Sequence, residues 1–583
     1  MDKIVSFFKD KYNIGLILVM VIYTILSFID LGTTNSPKSF LKLNKDDYII
    51  LETNGEDIPA KIVFFNGYAE DHISFFFADE LSDDNSSFVY DSSIETDYGE
   101  SFKWQYKDFN AEKKSPKYIM ISSCMDNITI GELALVNDQN DYMEVSLVNG
   151  YGYEALDEQQ TIWFTQDRMH NAYFDEIYFP RAAYEIFNNK YVFEYVHPTL
   201  GKIIMWIPMA LFGISPFTFR LMGNIAGILM ILVMYLIGNA LFKDKKYGLF
   251  LAIIMALDGM HFVQTRVATV DCFLVLFSLL SFLFFIKYLN ASDKKSYLML
   301  ILSGLFWGCT ISVKWSGAFV GLGLGIIFFI DYFKNKKLFI KKKFNYKPIL
   351  MGFISFVLVP VIVYILCHIP IFLNTSDCAS YHYIDKNGKR VEEIVKPNSI
   401  RGFLLYEYSM YQYHSELGND SEPDNEHPAT CGWYSWPLMI KPMWYYNFDN
   451  DNGTRSTIAC MGNPAIWWFS LFTFVTTCLY AFKKKHKEGI ILIIMVLCTL
   501  LPYAVITREM YIYHYFIVLP YMMCTIAYAV KLNIDYDKKY WKIIPVLSVV
   551  FLVVFIIFYP IYSGLGVPNE YIEFTKWLPT WSY

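Results

Sequence analysis

Long apolar segments constrain this chain more than any other feature. Eleven of them have about the length of a bilayer-spanning helix, roughly 20 residues. They lie near 14–31, 217–242, 247–263, 267–288, 297–313, 315–333, 349–373, 464–482, 488–506, 511–531 and 543–563. With 54% hydrophobic and only 18% charged residues, the chain is too apolar for a soluble multidomain protein. We therefore predict a polytopic α-helical membrane protein with about eleven transmembrane helices.

Basic residues are distributed unevenly between the loops that join these segments. Loops rich in Lys and Arg occur near 243–246, 292–296, 334–344, 483–487 and 531–542, and they alternate with loops poor in both. By the positive-inside rule the basic loops are cytoplasmic, and so is the N-terminus. The first apolar segment is too long for the core of a cleaved signal peptide. The predicted location is therefore the cell membrane, with multiple passes.

The same pattern predicts how the chain is organised. The predicted parts are an N-terminal tail with the first transmembrane helix (1–32), an extracytoplasmic β-rich insertion (33–150), an extracytoplasmic loop with surface helices (151–216), transmembrane helices (217–373), an extracytoplasmic aromatic-rich loop (374–463) and the C-terminal transmembrane helices (464–583). The first outer region is acidic and has no basic patch, which makes nucleic acid an improbable partner.

The insertion at 33–150 contains short β-rich runs separated by Asn, Asp, Gly and Ser, and this pattern predicts a β-sandwich-like domain. Such a domain often binds carbohydrate, but a spacer or docking role fits the sequence equally well. The loop at 374–463 is irregular in pattern, with one short helix expected near 400–417. Cys378, Cys431 and Cys460 fall in this loop, and the sequence allows a disulfide between two of them.

Two adjacent carboxylates, Asp175 and Glu176, stand in the aromatic stretch "NAYFDEIYFPRAAYEIF". The apolar positions that follow predict a short amphipathic helix at the bilayer surface, with both acids at its N-terminus. The helix dipole favours negative charge at that position, so simple capping is one explanation of the pair. A catalytic role is the other.

Cationic residues recur at the predicted outer ends of several spans. They are Arg220, Arg266, Lys314, Arg508 and His514. A charge at that depth is costly unless it faces a cavity or a partner. Each residue alone could be an interfacial anchor, whereas together they could bind a phosphate group beside the membrane, since Arg gives bidentate contacts and Lys a point charge.

Nine short motifs occur in a fixed order along the chain. They are "FDEIYF", "HPTLGK", "FRLMG", "TRVATVD", "SVKWSG", "YHSEL", "WYSWPLMIKPMWYY", "GNPAIWW" and "REMYIYHYF". In this order they resemble the protein O-mannosyltransferase family, membrane glycosyltransferases of the GT-C type. That family moves mannose from a polyprenyl or dolichyl phosphate to Ser or Thr of exported proteins. The resemblance covers about 170–530 and is greatest to bacterial members; the β-rich insertion departs from the family pattern.

The resemblance implies roles for individual residues. Asp175 would be the general base, and Glu176 would orient that base or the surrounding cations. The donor phosphate would be bound by Arg220, Arg266, Lys314, Arg508 and His514. The acceptor chain and the sugar would contact His197, His414, Trp433, Trp436, Trp444 and Tyr445.

The resemblance also implies the partners of the reaction. They are a polyprenyl-phosphate-linked sugar, a secreted or membrane acceptor protein and the lipid bilayer. No metal and no cofactor are expected, because no Cys or His spacing resembles a zinc site and the lipid-linked sugar is a substrate. The sequence leaves open whether the chain works as a dimer.

Three other functions compete with this interpretation. A sister enzyme could use the same donor to modify a glycolipid or a cell-wall polymer, and nothing around Asp175 identifies the acceptor. A transporter is disfavoured because the sequence shows no matched repeats and its charges gather at helix ends. A receptor that acts through the β-rich insertion is disfavoured by the intact acids and cations.

Overall fold

The computed structural model describes residues 9–68, 70–110, 115–139, 141–148, 150–291, 295–334, 339–340, 343–344, 346–416, 427–450 and 452–583. The chain divides into two compact units. The helical unit comprises Met1–Ile29, Ala182–Trp206 and Arg220–Tyr583. The β unit comprises Asp30–Arg181 and Ile207–Phe219.

Helices make up most of the described chain. They are α1 (Lys11–Phe28), α2 (Phe179–Phe187), α3 (Leu200–Phe212), α4 (Pro216–Phe242), α5 (Lys245–Ala256), α6 (Gly259–Gln264), α7 (Asp271–Asn290), α8 (Lys295–Val313), α9 (Ala318–Lys334), α10 (Lys347–Phe353), α11 (Val359–Cys367), α12 (Ile369–Leu373), α13 (Ile400–Glu416), α14 (Pro464–Lys484), α15 (Lys487–Leu500), α16 (Leu519–Tyr536), α17 (Ile543–Ser563) and α18 (Asn569–Thr575). A π-helical stretch, Ile354–Leu358, joins α10 to α11.

Within the described residues, nine helical segments are long and apolar enough to cross a bilayer. They contain α1, α4, α7, α8, α9, α10 with α11, α14, α15 and α17. Each coincides with one of the predicted spans, and the protein is a polytopic helical membrane protein. The mixed burial of these helices is expected, because one side packs on neighbours and the other faces lipid.

The other two predicted spans are also helical, but with different boundaries. The segment near 247–263 is divided between α5 and α6, because Asp258 caps α6 by accepting a hydrogen bond from the His261 N–H at 3.0 Å. The segment near 511–531 begins as a 3₁₀ turn, Ile512–Ile517, and continues as α16. Most of α16 is buried, so it packs on protein around its whole circumference.

The long loop between α12 and α14 has a small core of its own. Strands β13 (Ala379–Ile384) and β14 (Arg390–Val395) form a hairpin, and Tyr406 and Met410 of α13 pack on it together with Ala182 and Ile186 of α2. The helix predicted near 400–417 is confirmed as α13. A second hairpin pairs β15 (Met443–Asp449) with β16 (Arg455–Cys460), while β11 (Phe339–Ile340) and β12 (Lys343–Phe344) form a short ladder between α9 and α10.

The β unit contains two antiparallel sheets. Its strands are β1 (Leu41–Leu43), β2 (Tyr48–Glu52), β3 (Pro59–Asn66), β4 (Asp71–Ala78), β5 (Val89–Thr96), β6 (Lys103–Asp108), β7 (Tyr118–Ser123), β8 (Ile128–Asn137), β9 (Tyr142–Met143) and β10 (Ser146–Leu147). One sheet has the order β1-β8-β3-β6, with β9 on β8, and the other has the order β10-β2-β7-β4-β5. Buried Ile, Leu and Phe side chains from both sheets form one core, as a β-sandwich requires.

Three of these strands, β1, β5 and β8, have no counterpart among the predicted β-rich runs, which are "DYIILET", "AKIVFFNGYA", "ISFFFADE", "SFKWQYKDF", "YIMISSC" and "YMEVSLVN". Strand β8 is the longest in the unit, and it pairs with β1, β3 and β9. Its sequence, "ITIGELALVN", does not alternate, because Gly131 and Glu132 interrupt the apolar positions and nearly every residue is buried. A strand buried on both faces carries no period-two signal.

Candidate functional site

Asp175 and Glu176 lie in a 3₁₀ turn, Phe174–Ile177, of the β unit. Glu176 is buried and accepts a hydrogen bond from the Tyr173 N–H at 3.2 Å, whereas Asp175 is partly exposed. Phe174 has a φ of +53°, in the left-handed region that a bulky residue rarely adopts. The turn therefore fixes Glu176 in place while its neighbour Asp175 stays accessible.

The amphipathic pattern predicted both acids in the first turn of an α-helix. The structure shows them outside that helix. Helix α2 begins at Phe179, and Pro180 in its first turn fixes the starting position. The left-handed backbone at Phe174 and the hydrogen bond of Glu176 back to Tyr173 close a separate turn before it. A four-residue 3₁₀ turn has little dipole, so simple dipole capping does not explain Asp175.

In the helical unit, the guanidinium of Arg508 lies between two imidazoles. Its Nη1 is 3.1 Å from Nδ1 of His414, and its Nη2 is 3.5 Å from Nε2 of His514. No carboxylate pairs with Arg508 in the described part of the chain. A cation held by neutral groups keeps its full charge for an anionic ligand.

The tautomer of His414 follows from its other contact. His414 Nε2 lies 2.7 Å from the Val196 carbonyl oxygen, so this nitrogen donates and Nδ1 accepts from Arg508. His514 Nδ1 lies 3.0 Å from the Tyr511 carbonyl oxygen and also 3.3 Å from the Tyr511 N–H, so both nitrogens of this ring have polar contacts. Burial, together with the nearby charges of His197 and Arg508, lowers the pKa of His414 to about 3. His414 is therefore neutral at physiological pH.

Lys314 adds a second cation beside this group. Its Nζ lies 5.5 Å from the centre of the Tyr513 ring, and Tyr513 stacks on His514 with ring centres 4.5 Å apart. Unlike Arg508, Lys314 is paired: Asp271 accepts from its Nζ at 3.1 Å and 3.3 Å. Four predicted site residues, Lys314, Arg508, His514 and His414, are thus brought together.

A buried ion pair, formed by Glu194 and Lys202, holds the predicted site residue His197 in place. Glu194 Oε1 is 2.6 Å from Nδ1 of His197, and Glu194 Oε2 is 2.6 Å from Nζ of Lys202. Lys202 also donates to the His197 carbonyl oxygen at 2.8 Å, and the His197 ring meets His414 edge to face, 5.6 Å between centres. Glu194 and Lys202 were not predicted as site residues, although "EYVHPTLGK" contains an acid and a base that flank His197.

Removing the Glu194 charge is expected to destabilise the helical unit. Burial alone would raise the pKa of Glu194, but the charges of Lys202 and His197 bring it below the usual 4.5. A Glu194→Gln substitution leaves Lys202 buried without a counter-charge, which costs about 3–5 kcal/mol of unfolding free energy. Thermal unfolding in detergent measures this loss. The stabilisation is present above the pKa of the unfolded carboxyl and is lost as pH falls through the lower folded value.

The double variant Glu194→Gln/Lys202→Met is the matched control for this prediction. It removes both charges, so it is expected to recover most of the stability that Glu194→Gln loses. Equal unfolding temperatures for wild type and Glu194→Gln would contradict the prediction. So would a double variant that is less stable than the single one.

The remaining predicted cations lie in different surroundings. Arg266 donates from Nε to the Ser27 carbonyl oxygen at 3.1 Å and from Nη2 to that of Ile29, so it holds the C-terminal end of α1. The structure does not bring it into the Arg508 group. Arg220 lies in the second turn of α4 and is only 1% exposed.

The predicted aromatic residues of the long loop differ in exposure. Trp436 is fully buried, donates to the Cys431 carbonyl oxygen at 3.2 Å and stacks on His514 with ring centres 5.8 Å apart. Tyr445 is also buried, Trp433 is partly exposed, and Trp444 is 41% exposed. Trp436 thus supports the imidazole beside Arg508, whereas Trp444 presents an open ring surface.

All ten cysteines lie within the described residues and carry free thiols, including Cys378, Cys431 and Cys460. The described residues contain no group of three or more His, Cys, Asp or Glu side chains that could hold a metal ion.

Two family models match this chain. The model described as dolichyl-phosphate-mannose-protein mannosyltransferase matches residues 167–375, and the model of the C-terminal four-transmembrane region of protein O-mannosyltransferase matches residues 399–581. The chain belongs to the protein O-mannosyltransferase family. The family models begin after the two β-sheets, which are therefore an addition to the shared family core.

Individual relatives agree with this family assignment. A polyprenol-phosphate-mannose–protein mannosyltransferase of Mycolicibacterium smegmatis is 24% identical over 70% of this chain and 87% of its own length. Its counterpart in Mycobacterium tuberculosis is 23% identical over 70% of this chain and 86% of its own length. The family member described here is accordingly a glycosyltransferase.

A solved structure shows the same fold. The Saccharomyces cerevisiae protein O-mannosyltransferase Pmt1-Pmt2 complex bound to the sugar donor matches with a TM-score of 0.58. The match covers 70% of this chain and 89% of the yeast chain at 14% identity. The helical architecture of this family member is therefore the GT-C type.

Proposed function

We propose that this protein transfers mannose, or a related hexose, from a polyprenyl phosphate to Ser or Thr hydroxyls of exported proteins. The family membership supports a mannosyl donor, and the bacterial relatives carry polyprenol-phosphate-mannose and protein mannosyltransferase in their names. The observation that carries the proposal furthest is the unneutralised Arg508, because a lipid phosphate needs a fixed cation that no carboxylate has already neutralised.

The proposed reaction is a single displacement at the anomeric carbon. The acceptor oxygen forms the new bond to that carbon while the bond from the carbon to the phosphate oxygen breaks. Asp175 takes the hydroxyl proton, and the polyprenyl phosphate leaves with the electron pair. Asp175 is suited to this role because it is partly exposed on a turn that Glu176 stabilises.

Attack from the face opposite the phosphate inverts the anomeric configuration. No covalent intermediate is needed, because the leaving group is already good and its growing charge meets fixed cations. Arg508 is the proposed main phosphate ligand, with Lys314 and Arg220 as further cations. The same cations replace a divalent metal in this mechanism, so no cofactor is proposed.

The proposed orientation follows from the basic loops. They place the N-terminus in the cytoplasm and the long loop at 374–463 outside. The Arg508 group and the loop residues His414 and Trp444 then face the exterior, where exported proteins emerge. The exposed ring of Trp444 is a proposed contact for the sugar or the acceptor chain.

One experiment separates this proposal from its closest rival. Membranes containing the protein are incubated with polyprenyl-phosphate-mannose, a Ser/Thr-rich secreted peptide and an extract of membrane glycolipids, and all products are analysed by mass spectrometry. We expect mannose on the peptide hydroxyls in the inverted configuration. Mannose on glycolipid alone would favour the sister enzyme. In a parallel incubation with polyprenyl-phosphate-glucose, transfer at an equal rate would mean that mannose is not preferred over a related hexose.

A further inference from the structure

Alternation along two strands of the β unit places polar side chains in its core. In β4, Ile73 and Phe75 belong to the buried cluster between the sheets, and Asp71 lies on the same face with 1% exposure. In β3, the corresponding core residues are Ile62 and Phe64, and the same face ends at a fully buried Asn66. A carboxylate and a carboxamide therefore enter one end of the sandwich from opposite sheets.

Backbone and side-chain contacts bring these two residues to the same place. Asn66 Nδ2 lies 3.3 Å from the Thr96 hydroxyl oxygen, and Thr96 is the direct partner of Asp71 in the ladder between β4 and β5. Directly opposed residues of an antiparallel pair present their side chains on one face, with Cβ atoms about 5 Å apart. The Asn66 carbonyl oxygen accepts from the Phe102 N–H at 3.0 Å, and Asn66 Nδ2 donates to the Glu100 carbonyl oxygen at 3.3 Å. Ser101 lies between Glu100 and Phe102 in the chain and is therefore held close to Asn66.

Four side-chain oxygen atoms of Asp71, Asn66 and Ser101 have no hydrogen-bond partner among the described residues. They are both carboxylate oxygens of Asp71, Oδ1 of Asn66 and Oγ of Ser101. The orientation of the Asn66 amide is fixed, because its Nδ2 donates to the Glu100 carbonyl oxygen at 3.3 Å, and a carbonyl oxygen only accepts. The amide oxygen is therefore free to serve as a ligand.

A bare carboxylate in an apolar core is unfavourable unless a proton or a cation neutralises it. Burial raises the pKa of Asp71 to about 7, because the apolar core disfavours the charged carboxylate. The unpartnered oxygens of Asn66 and Ser101 are of the kind that coordinates a cation.

We propose that Asp71, Asn66 and Ser101 form a binding site for a calcium-class divalent cation that links the two sheets of the β unit. Carboxylate, amide and hydroxyl oxygens are hard ligands, which suit Ca²⁺ rather than the N- and S-coordinated transition metals. Ca²⁺ takes about six to eight oxygens, so water and backbone carbonyls complete the shell. The site lies outside the residues that the two family models match.

The test uses the full-length protein in detergent after removal of divalent ions with a chelator. Calcium chloride is titrated into it, and binding is measured by calorimetry. Hydrogen exchange is then compared with and without Ca²⁺ for peptides covering 59–78 and 89–108. We expect one Ca²⁺ per chain and slower exchange in these peptides. Asp71→Asn is expected to weaken binding by more than about tenfold.

Glu132→Gln is the matched control. Glu132 is another fully buried carboxylate of the same sandwich, but it accepts a hydrogen bond from the Glu158 N–H at 2.6 Å. This variant is expected to bind Ca²⁺ as tightly as wild type. A second variant, Asn66→Asp, keeps an oxygen ligand and adds charge, so it is expected to bind at least as tightly.

Three results would overturn the proposal. The first is wild-type protein that takes up no Ca²⁺ and exchanges equally in both conditions, which would mean that a proton neutralises Asp71. The second is Asp71→Asn binding with wild-type affinity. The third is Ca²⁺ uptake that protects only peptides outside 59–78 and 89–108. The wild-type measurement decides the question even if a variant fails to fold.

Discussion

Asp175→Asn is expected to lower the turnover number by about 10²- to 10⁴-fold, the usual contribution of a general base. Asparagine keeps the shape of the side chain but does not accept the proton of the acceptor hydroxyl. Because Asp175 acts on the acceptor, the KM for polyprenyl-phosphate-mannose should change little. Initial rates of peptide mannosylation in detergent, at varied donor concentration, measure both constants.

Glu176→Gln is the matched control for Asp175→Asn, since it makes the same chemical change one residue away. Glutamine retains a side-chain oxygen that can accept from the Tyr173 N–H, so the turn should persist. We expect a much smaller loss of turnover. An Asp175→Asn variant with wild-type turnover would exclude Asp175 as the base, and equal losses in both variants would mean that the charge of the pair matters instead.

Arg508→Gln is expected to lower kcat/KM for the donor by about 10²- to 10³-fold, the cost of removing one fixed group that stabilises developing charge. Glutamine supplies no charge for the leaving phosphate. Arg508→Lys should recover only part of the loss, because an ammonium is a point charge and cannot span His414 and His514 at once. Steady-state rates at varied donor and fixed peptide concentration measure the effect.

Arg401→Gln controls for a general loss of positive charge. Arg401 is exposed in the first turn of α13, the helix that also carries His414. Its replacement should leave donor kinetics unchanged. A loss in Arg508→Gln that appears only in the KM for the peptide would assign Arg508 to the acceptor and contradict the proposed phosphate contact.

The membrane spans could be predicted because each is encoded locally, in one run of about 20 apolar residues. Helix α16 was harder to delimit, since its residues are buried in protein and its first turn is 3₁₀. Strand β8 was missed for the related reason that full burial removes the alternation. Enclosure by protein thus removes the local pattern in α16 and β8, whereas β5 was missed although nearly all of its residues are at least partly exposed.

The candidate site was also predicted only in part from the sequence. Arg508 and His514 stand close in sequence, and their charge beside a membrane indicated a binding role. His414 precedes Arg508 by 94 residues, so their contact depends on how the long loop folds. The pairing of Glu194 with Lys202 was also missed, because these residues flank a Pro-containing turn and share no helical spacing. The hydrogen bonds from Arg266 to carbonyl oxygens at the C-terminal end of α1 likewise depend on the tertiary structure.

The neutral state of His414 has a consequence for the environment in which the protein can work. On the proposed outer face, the site experiences the acidity of the surroundings, which the cell does not buffer. An imidazole that titrates near pH 3 keeps accepting from Arg508 throughout mildly acidic conditions. Donor capture through Arg508 should therefore be as strong in an acidified medium as at neutral pH, and any decline there must arise at another group.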